Sequence, residues 1–184
     1  MHLRPKVLIL TVIAMLAGAA AADQKDPRLG KLFAQLKTAT STEQAQPIER
    51  QIWDIWTESG DQNIDALMAI GIAAMNDGDY DQAYRALSRV VDLAPNYAEG
   101  WNKRATVLYL MGRYEDSIKD IGKTLALEPR HFGALSGLGL CNAQLSREKE
   151  ALDAFEKALE INPNMPGIKL DAEEMKKQLG NKSI

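Results

Sequence analysis

The sequence predicts an all-α fold, an α-α solenoid of stacked antiparallel helix hairpins, and three observations predict it. Pro95, Pro129 and Pro163 recur at intervals of 34 residues. Each closes a similar amphipathic segment: Val-Val-Asp-Leu-Ala before Pro95, Leu-Ala-Leu-Glu before Pro129 and Leu-Glu-Ile-Asn before Pro163. Proline ends a helix because it has no amide donor and its ring clashes with the preceding turn. Between successive prolines lie two stretches whose apolar residues recur at steps of three and four, as one buried helix face requires. Small residues also recur in register: Gly71, Ala105 and Gly139 midway along each first helix, and Ala83, Ser117 and Ala151 near the start of each second. Two helices pack closely only where the crossing point lacks bulk. Self-similarity at a constant period of this length marks a repeat array, whose units bury their apolar faces on one another.

Taken in order, residues 1–22 read as an export signal. Arg4 and Lys6 give a basic start, Val7 to Leu16 is apolar apart from Thr11, and Ala17 to Ala22 is a run of small residues. Ala20 and Ala22 suit the −3 and −1 positions of a cleavage site between Ala22 and Asp23. The apolar run falls short of the ~20 residues that span a bilayer. The expectation is therefore an exported, periplasmic chain with no integral membrane span after cleavage. Residues 23–63 hold a helical pair. Leu29, Leu32, Phe33 and Leu36 form one face, and Ile48, Ile52, Trp53 and Trp56 another. One period before the small positions stand Lys37 and Glu49, so this pair reads as a divergent repeat or a packing cap, with its two tryptophans in the cap's core. Residues 64–165 contain three units, 64–97, 98–131 and 132–165. They turn at Asn76 to Asp79, Met111 to Arg113, and Ser146-Arg147. Asn96 and Asn164 follow two of the closing prolines, where either could cap the next helix. Residues 166–184 read as a charged, solubilising helix that covers the end of the array.

These residues resemble the tetratricopeptide repeat family. Leu67, Trp101 and Leu135 hold its large first-helix position, with Gly71, Ala105 and Gly139 at the small one. Gly78 and Gly112 match its turn glycine, Tyr80 and Tyr114 the tyrosine that follows, and Ala83, Ser117 and Ala151 its second small position. Leu87, Ile121 and Phe155 match the next site, Ala158 the alanine after it, and the three prolines its closing proline. The departures are Arg104 for Leu, Ser146 for the turn Gly, Glu148 for Tyr, and Val90 and Thr124 for Ala. They are spread over different units. The stretch from Asn96 to Leu140 is also similar to exported members of this family in alphaproteobacteria. The resemblance implies a right-handed superhelix whose first helices line a concave groove that binds an extended peptide or a helix. On the family register the groove positions are Met68, Ile72 and Met75 in the first unit. The second unit supplies Asn102, Lys103, Thr106 and Tyr109, and the third Ser136, Leu140 and Gln144. Chaperone-binding members grip a C-terminal carboxylate with lysine, asparagine and arginine. Met68, Ile72, Lys103, Gly133 and Gly137 stand at those positions here, so capture of such an acidic tail is not expected. Gly133 and Gly137 read equally well as a low groove floor or as sites of close packing. Alanine at both is expected to stabilise the helix.

Charge and chemistry narrow the function further. The formal net charge is −3 with a pI near 5.5, without the basic face of a general nucleic-acid binder. After cleavage His131 and Cys141 are the one histidine and one cysteine. Ten residues apart on one helix, they are separated by ~15 Å along its axis, too far for proton transfer. Zinc needs three or four clustered ligands. Gly137-Leu138-Gly139 has no preceding strand and no following Lys-Ser/Thr, so it is not a phosphate loop. Cys141 reads as a small apolar filler. No catalytic residue, metal or cofactor is expected. The expected function is a non-catalytic scaffold for another protein or peptide, serving envelope maintenance, with a structural subunit of an envelope or secretion assembly as the alternative.

Overall fold

The computed structural model describes residues 26–182; the export signal expected over residues 1–22 lies outside the described residues. The described chain is helical throughout: α1 Pro27–Thr38, α2 Thr42–Thr57, α3 Gln62–Asn76, α4 Tyr80–Leu93, α5 Ala98–Leu110, α6 Tyr114–Leu127, α7 Phe132–Gln144, α8 Glu148–Ile161 and α9 Pro166–Lys182. Helices α3–α4, α5–α6 and α7–α8 form three antiparallel hairpins. Each stacks on the next, α4 against α5 and α6 against α7, and α9 closes the far end on α8.

The small positions lie at the helix crossings. A Cβ built on Gly71 would stand 2.7 Å from Cγ of Leu87, and one on Gly139 only 2.3 Å from the Phe155 ring. The middle unit solves the same crossing with polar atoms. There Ser117 Oγ donates to the Ala105 carbonyl at 2.8 Å and accepts from the Cys141 thiol at 3.3 Å. Burial pushes the Cys141 thiol above its ordinary range, so its role there is packing. The turn positions Gly78, Gly112 and Ser146 share positive φ angles of 78°, 74° and 56°. That left-handed conformation explains the two glycines. Arg104, at a position where leucine is usual, forks onto buried Asp120 at 2.6 and 2.8 Å and lies over the Trp101 ring at 4.9 Å. An ion pair replaces apolar packing. Asn96 and Asn164 do not cap the helices that follow. Tyr97 precedes α5 without a side-chain cap, and the Asn164 side chain bonds elsewhere.

The N-terminal pair departs most from expectation. It stacks on α3 neither as a preceding repeat nor as an end cap. Instead α2 lies against α5, and α1 against α8. Leu29, Leu32, Phe33, Leu36, Ile52, Ile55 and Trp56 form one core with Phe132 of α7, with Ile161 and Met165 packed at its edge. The hairpin has turned back across the array through the short link 58–61, where Gly60 takes φ +77°. The outer face of α3 is left uncovered as a result: Ile70 is 47% exposed, and Ala66, Ala69 and Ala73 are exposed beside it.

Candidate functional site

The hairpin docks along the row of loops that join successive repeats. Two positions of the 34-residue period make this row: Ala94, Glu128 and Asn162 just before each proline, and Tyr97, His131 and Met165 two residues after it. The hydroxyl of Tyr97 donates to the carbonyl of Thr57 at the end of α2, at 2.9 Å. Its burial, followed by the nearby Glu99 charge, pushes the phenol far above its usual range. Arg130 pairs with buried Glu128 and lies 4.4 Å from the centre of the Phe33 ring. Asn162 Nδ2 donates to Glu49 of α2 at 2.7 Å, and Asn164 Nδ2 to the carbonyl of Ala39 at 2.8 Å.

At the middle of the row is a buried polar cluster under an aromatic roof. His131 caps α7 by accepting from the Ala134 amide at Nδ1, 3.0 Å away. Nε2 therefore carries the ring proton and donates to Glu99 at 2.9 Å. The imidazole is stacked on Trp56, with centroids 4.1 Å apart and planes 10° apart, and meets Trp53 edge-on. Glu99 is fully buried on α5. Its second oxygen lies 2.9 Å from Lys103 Nζ, and Asn102 donates to the carboxylate at 3.0 Å. Burial pushes the Glu99 carboxyl up, but the His131 hydrogen bond and the Lys103 charge outweigh it and hold the group below the usual glutamate range. His131 and Cys141 stay apart. Each is committed to a structural contact.

The open part of the groove lies between α5 and α7. There a cavity of about 190 Å³ is lined by Asn102, Ala105, Thr106, Tyr109, Ser117, Ile121, Gly133, Ser136, Gly137 and Leu140. Five groove positions read from the sequence meet in it: Asn102, Thr106, Tyr109, Ser136 and Leu140. Lys103 is turned instead to Glu99. Ile72 and Met75 flank the first unit's core, partly buried, and Met68 is within that core at 4% exposure, offering no groove surface. Gln144 is exposed at the end of α7, where Tyr114 lies 3.5 Å from its side-chain oxygen. The two glycines have different environments. A Cβ on Gly137 would find only Ile121, at 3.5 Å, whereas one on Gly133 would collide with Trp53 at 2.8 Å. The first is groove floor, and the second admits the hairpin.

Sequence reasoning missed the docking row. Its signal was the period itself: large residues recur two positions after each proline, outside the motif that defines the repeat. Among the described residues no cluster of three or more His, Cys, Asp or Glu could hold a metal ion, and no helix is long and apolar enough to cross a membrane.

A family model described as tetratricopeptide repeat matches residues 68–123 and 103–166. The chain belongs to the tetratricopeptide repeat family. It is 38% identical over 136 residues to a tetratricopeptide repeat-containing protein of Rhizobium etli, covering 74% of this chain and 67% of that protein. It is 31% identical over 113 residues to the Hsp70-Hsp90 organizing protein of Triticum aestivum, covering 61% of this chain but only 19% of that one. Among solved structures, the tetratricopeptide repeat domain of Sgt2 from Aspergillus fumigatus superposes with a TM-score of 0.64 at 25% identity. The match covers 67% of this chain and 83% of that one. The first tetratricopeptide repeat domain of Spaghetti (RPAP3), bound to an HSP90 peptide, superposes at 0.63 and 22% identity, covering 65% and 94%, and shows the shared fold.

Proposed function

We propose that this tetratricopeptide repeat protein is a non-catalytic adaptor of the bacterial periplasm that holds a peptide or helix of another envelope protein in its concave groove, in the service of envelope maintenance. The observation that carries this reading is the open cavity between α5 and α7, where five groove-register side chains converge around an uncharged floor. Solved relatives in complex with peptides support it. One is bound to the HSP90 peptide SRMEEVD, another to the HSP70 peptide SGPTIEEVD. Those peptides end in acidic residues. The groove here offers Lys103 alone among the clamp positions, and its charge is spent on Glu99. The partner is accordingly not an acidic C-terminal tail; a titration giving micromolar affinity for a peptide ending in Glu-Glu-Val-Asp would overturn that exclusion.

The export signal supports the periplasmic location. A reporter fused after Ala22 should leave the cytoplasm, and retention there would remove the location from the proposal. Crosslinking in intact cells followed by co-purification of the full chain should recover a single envelope protein. The uncovered α3 face, with Ile70 exposed, favours a second reading as a structural subunit of a larger assembly. Insolubility of the chain without its partner would support that reading, and a stable monomer that captures peptide would support the adaptor.

A further inference from the structure

We propose that α2 forms the outer wall of the peptide site, with Trp53 as its contact residue, so that a bound segment is held between the repeats and the N-terminal hairpin. This rests on the groove reading above and adds to it a specificity-determining residue from outside the repeats. Gly133 lines the α5–α7 cavity, and the tip of the Trp53 indole lies 2.8 Å from where a Cβ on Gly133 would stand. The indole therefore packs against a residue of the cavity lining without being part of that lining itself. Trp53 is only partly buried, unlike Trp56 behind it. A second hollow, of about 340 Å³, is lined by Gln46, Glu49, Arg50 and Trp53. Trp53 therefore touches the lining of the hollow in the array and itself lines the one on the hairpin, and an extended segment crossing it reaches both.

The lining states the class of segment. The hydroxyls of Thr106, Ser117 and Ser136 donate to backbone carbonyls at 3.0, 2.8 and 2.8 Å. No charged side chain lines the α5–α7 cavity. A charged residue entering it would lose its water and find no counter-charge. The occupant is an extended peptide with one uncharged apolar side chain anchored in the α5–α7 cavity. Its flanking polar residues lie over Trp53 toward Gln46 and Arg50.

The test uses the full chain and peptides selected on it from a random dodecamer library displayed on phage. Selected peptides should share one apolar anchor. Trp53→Ala should weaken them about tenfold or more and Trp53→Phe by less than about threefold, the range of an aromatic contact at an interface. Gly137→Leu, which fills the cavity, should abolish binding. Because Trp53→Ala also loosens the hairpin, a second measurement uses the unaltered protein. A benzophenone placed beside the anchor should crosslink to residues 46–56 of α2. If Gly137→Leu abolishes binding while the crosslink misses α2 and Trp53→Ala binds normally, the wall is refuted and the groove stands. Binding that survives Gly137→Leu, or a library that yields no binder, overturns the groove reading and the wall together.

Discussion

The repeat array and the N-terminal hairpin are both built from antiparallel helix pairs, yet they are held by different physics. In the array each hairpin stacks on its neighbours along the chain, and its own two helices cross at a small residue under a large one, as at Gly71–Leu87 and Gly139–Phe155. Such arrays behave as one-dimensional stacks, with stability summed over units and nearest-neighbour interfaces. The hairpin touches the junctions after all three repeats, from Tyr97 to Asn164, and does so with stacked rings and buried hydrogen bonds. It ties together units that are not neighbours. The difference teaches that the units of this solenoid are held together by two devices: local packing along the stack and a strap across it.

Four experiments can break or sharpen that contrast. The largest effect is expected inside the array. Phe155 is fully buried against Gly139 and the α9 contacts, and Phe155→Ala should cost ~3–5 kcal/mol. Urea denaturation should show the whole chain losing stability; loss confined to α1–α2 would invert the assignment of roles. Next comes Glu99→Gln, which removes the carboxylate shared by His131 and Lys103. A loss of ~1–3 kcal/mol is expected for such a buried hydrogen-bonded group. Hydrogen exchange should show it as faster exchange in α2 with α8 protected, and uniform loss across all helices would refute the strap as a separable unit.

Acid should act in the same direction. A carboxyl held below its ordinary range stabilises the folded state at every pH above that range, and the contribution disappears as pH falls through the lowered value. Glu99 is such a group. The hairpin should therefore detach as the solution becomes more acidic than the ordinary glutamate range, read from fluorescence of Trp53 and Trp56. A variant carrying Glu99→Gln should lack this transition, and an identical transition in both proteins would count against the role of Glu99. The smallest effects separate the two glycines. Gly137→Ala has room and should gain up to ~1 kcal/mol of helix stability. Gly133→Ala should forfeit that gain by pushing Trp53 aside, since overpacking typically costs ~1–3 kcal/mol. Paired thermal melts decide it, and equal stabilisation at both sites would show that Trp53 moves freely.

Much of this molecule was legible in advance. The period, the hairpins, the turn positions and the small residues at the crossings follow from residues spaced within one unit of 34, where local periodicity and packing state the same thing. Five of the ten groove positions meet in one cavity for the same reason. Met68 does not, because at the position that Asn102 and Ser136 hold in the later units its long apolar side chain fills the first unit's core.

The sequence by itself determined the fold class, the three units and the amphipathic character of the N-terminal pair, because each is written in short-range spacing. Only the tertiary structure decided where that pair goes. Its apolar stripe suits stacking on α3 and docking across the junctions equally well in pattern. The outcome depends on partners far apart in sequence: Trp56 on His131, Thr57 under Tyr97 and Glu49 beside Asn162. Those contacts are made by side chains at positions where the repeat motif asks for nothing in particular. The period marks a row of large residues after the prolines, but what packs on that row is decided only when the chain is folded.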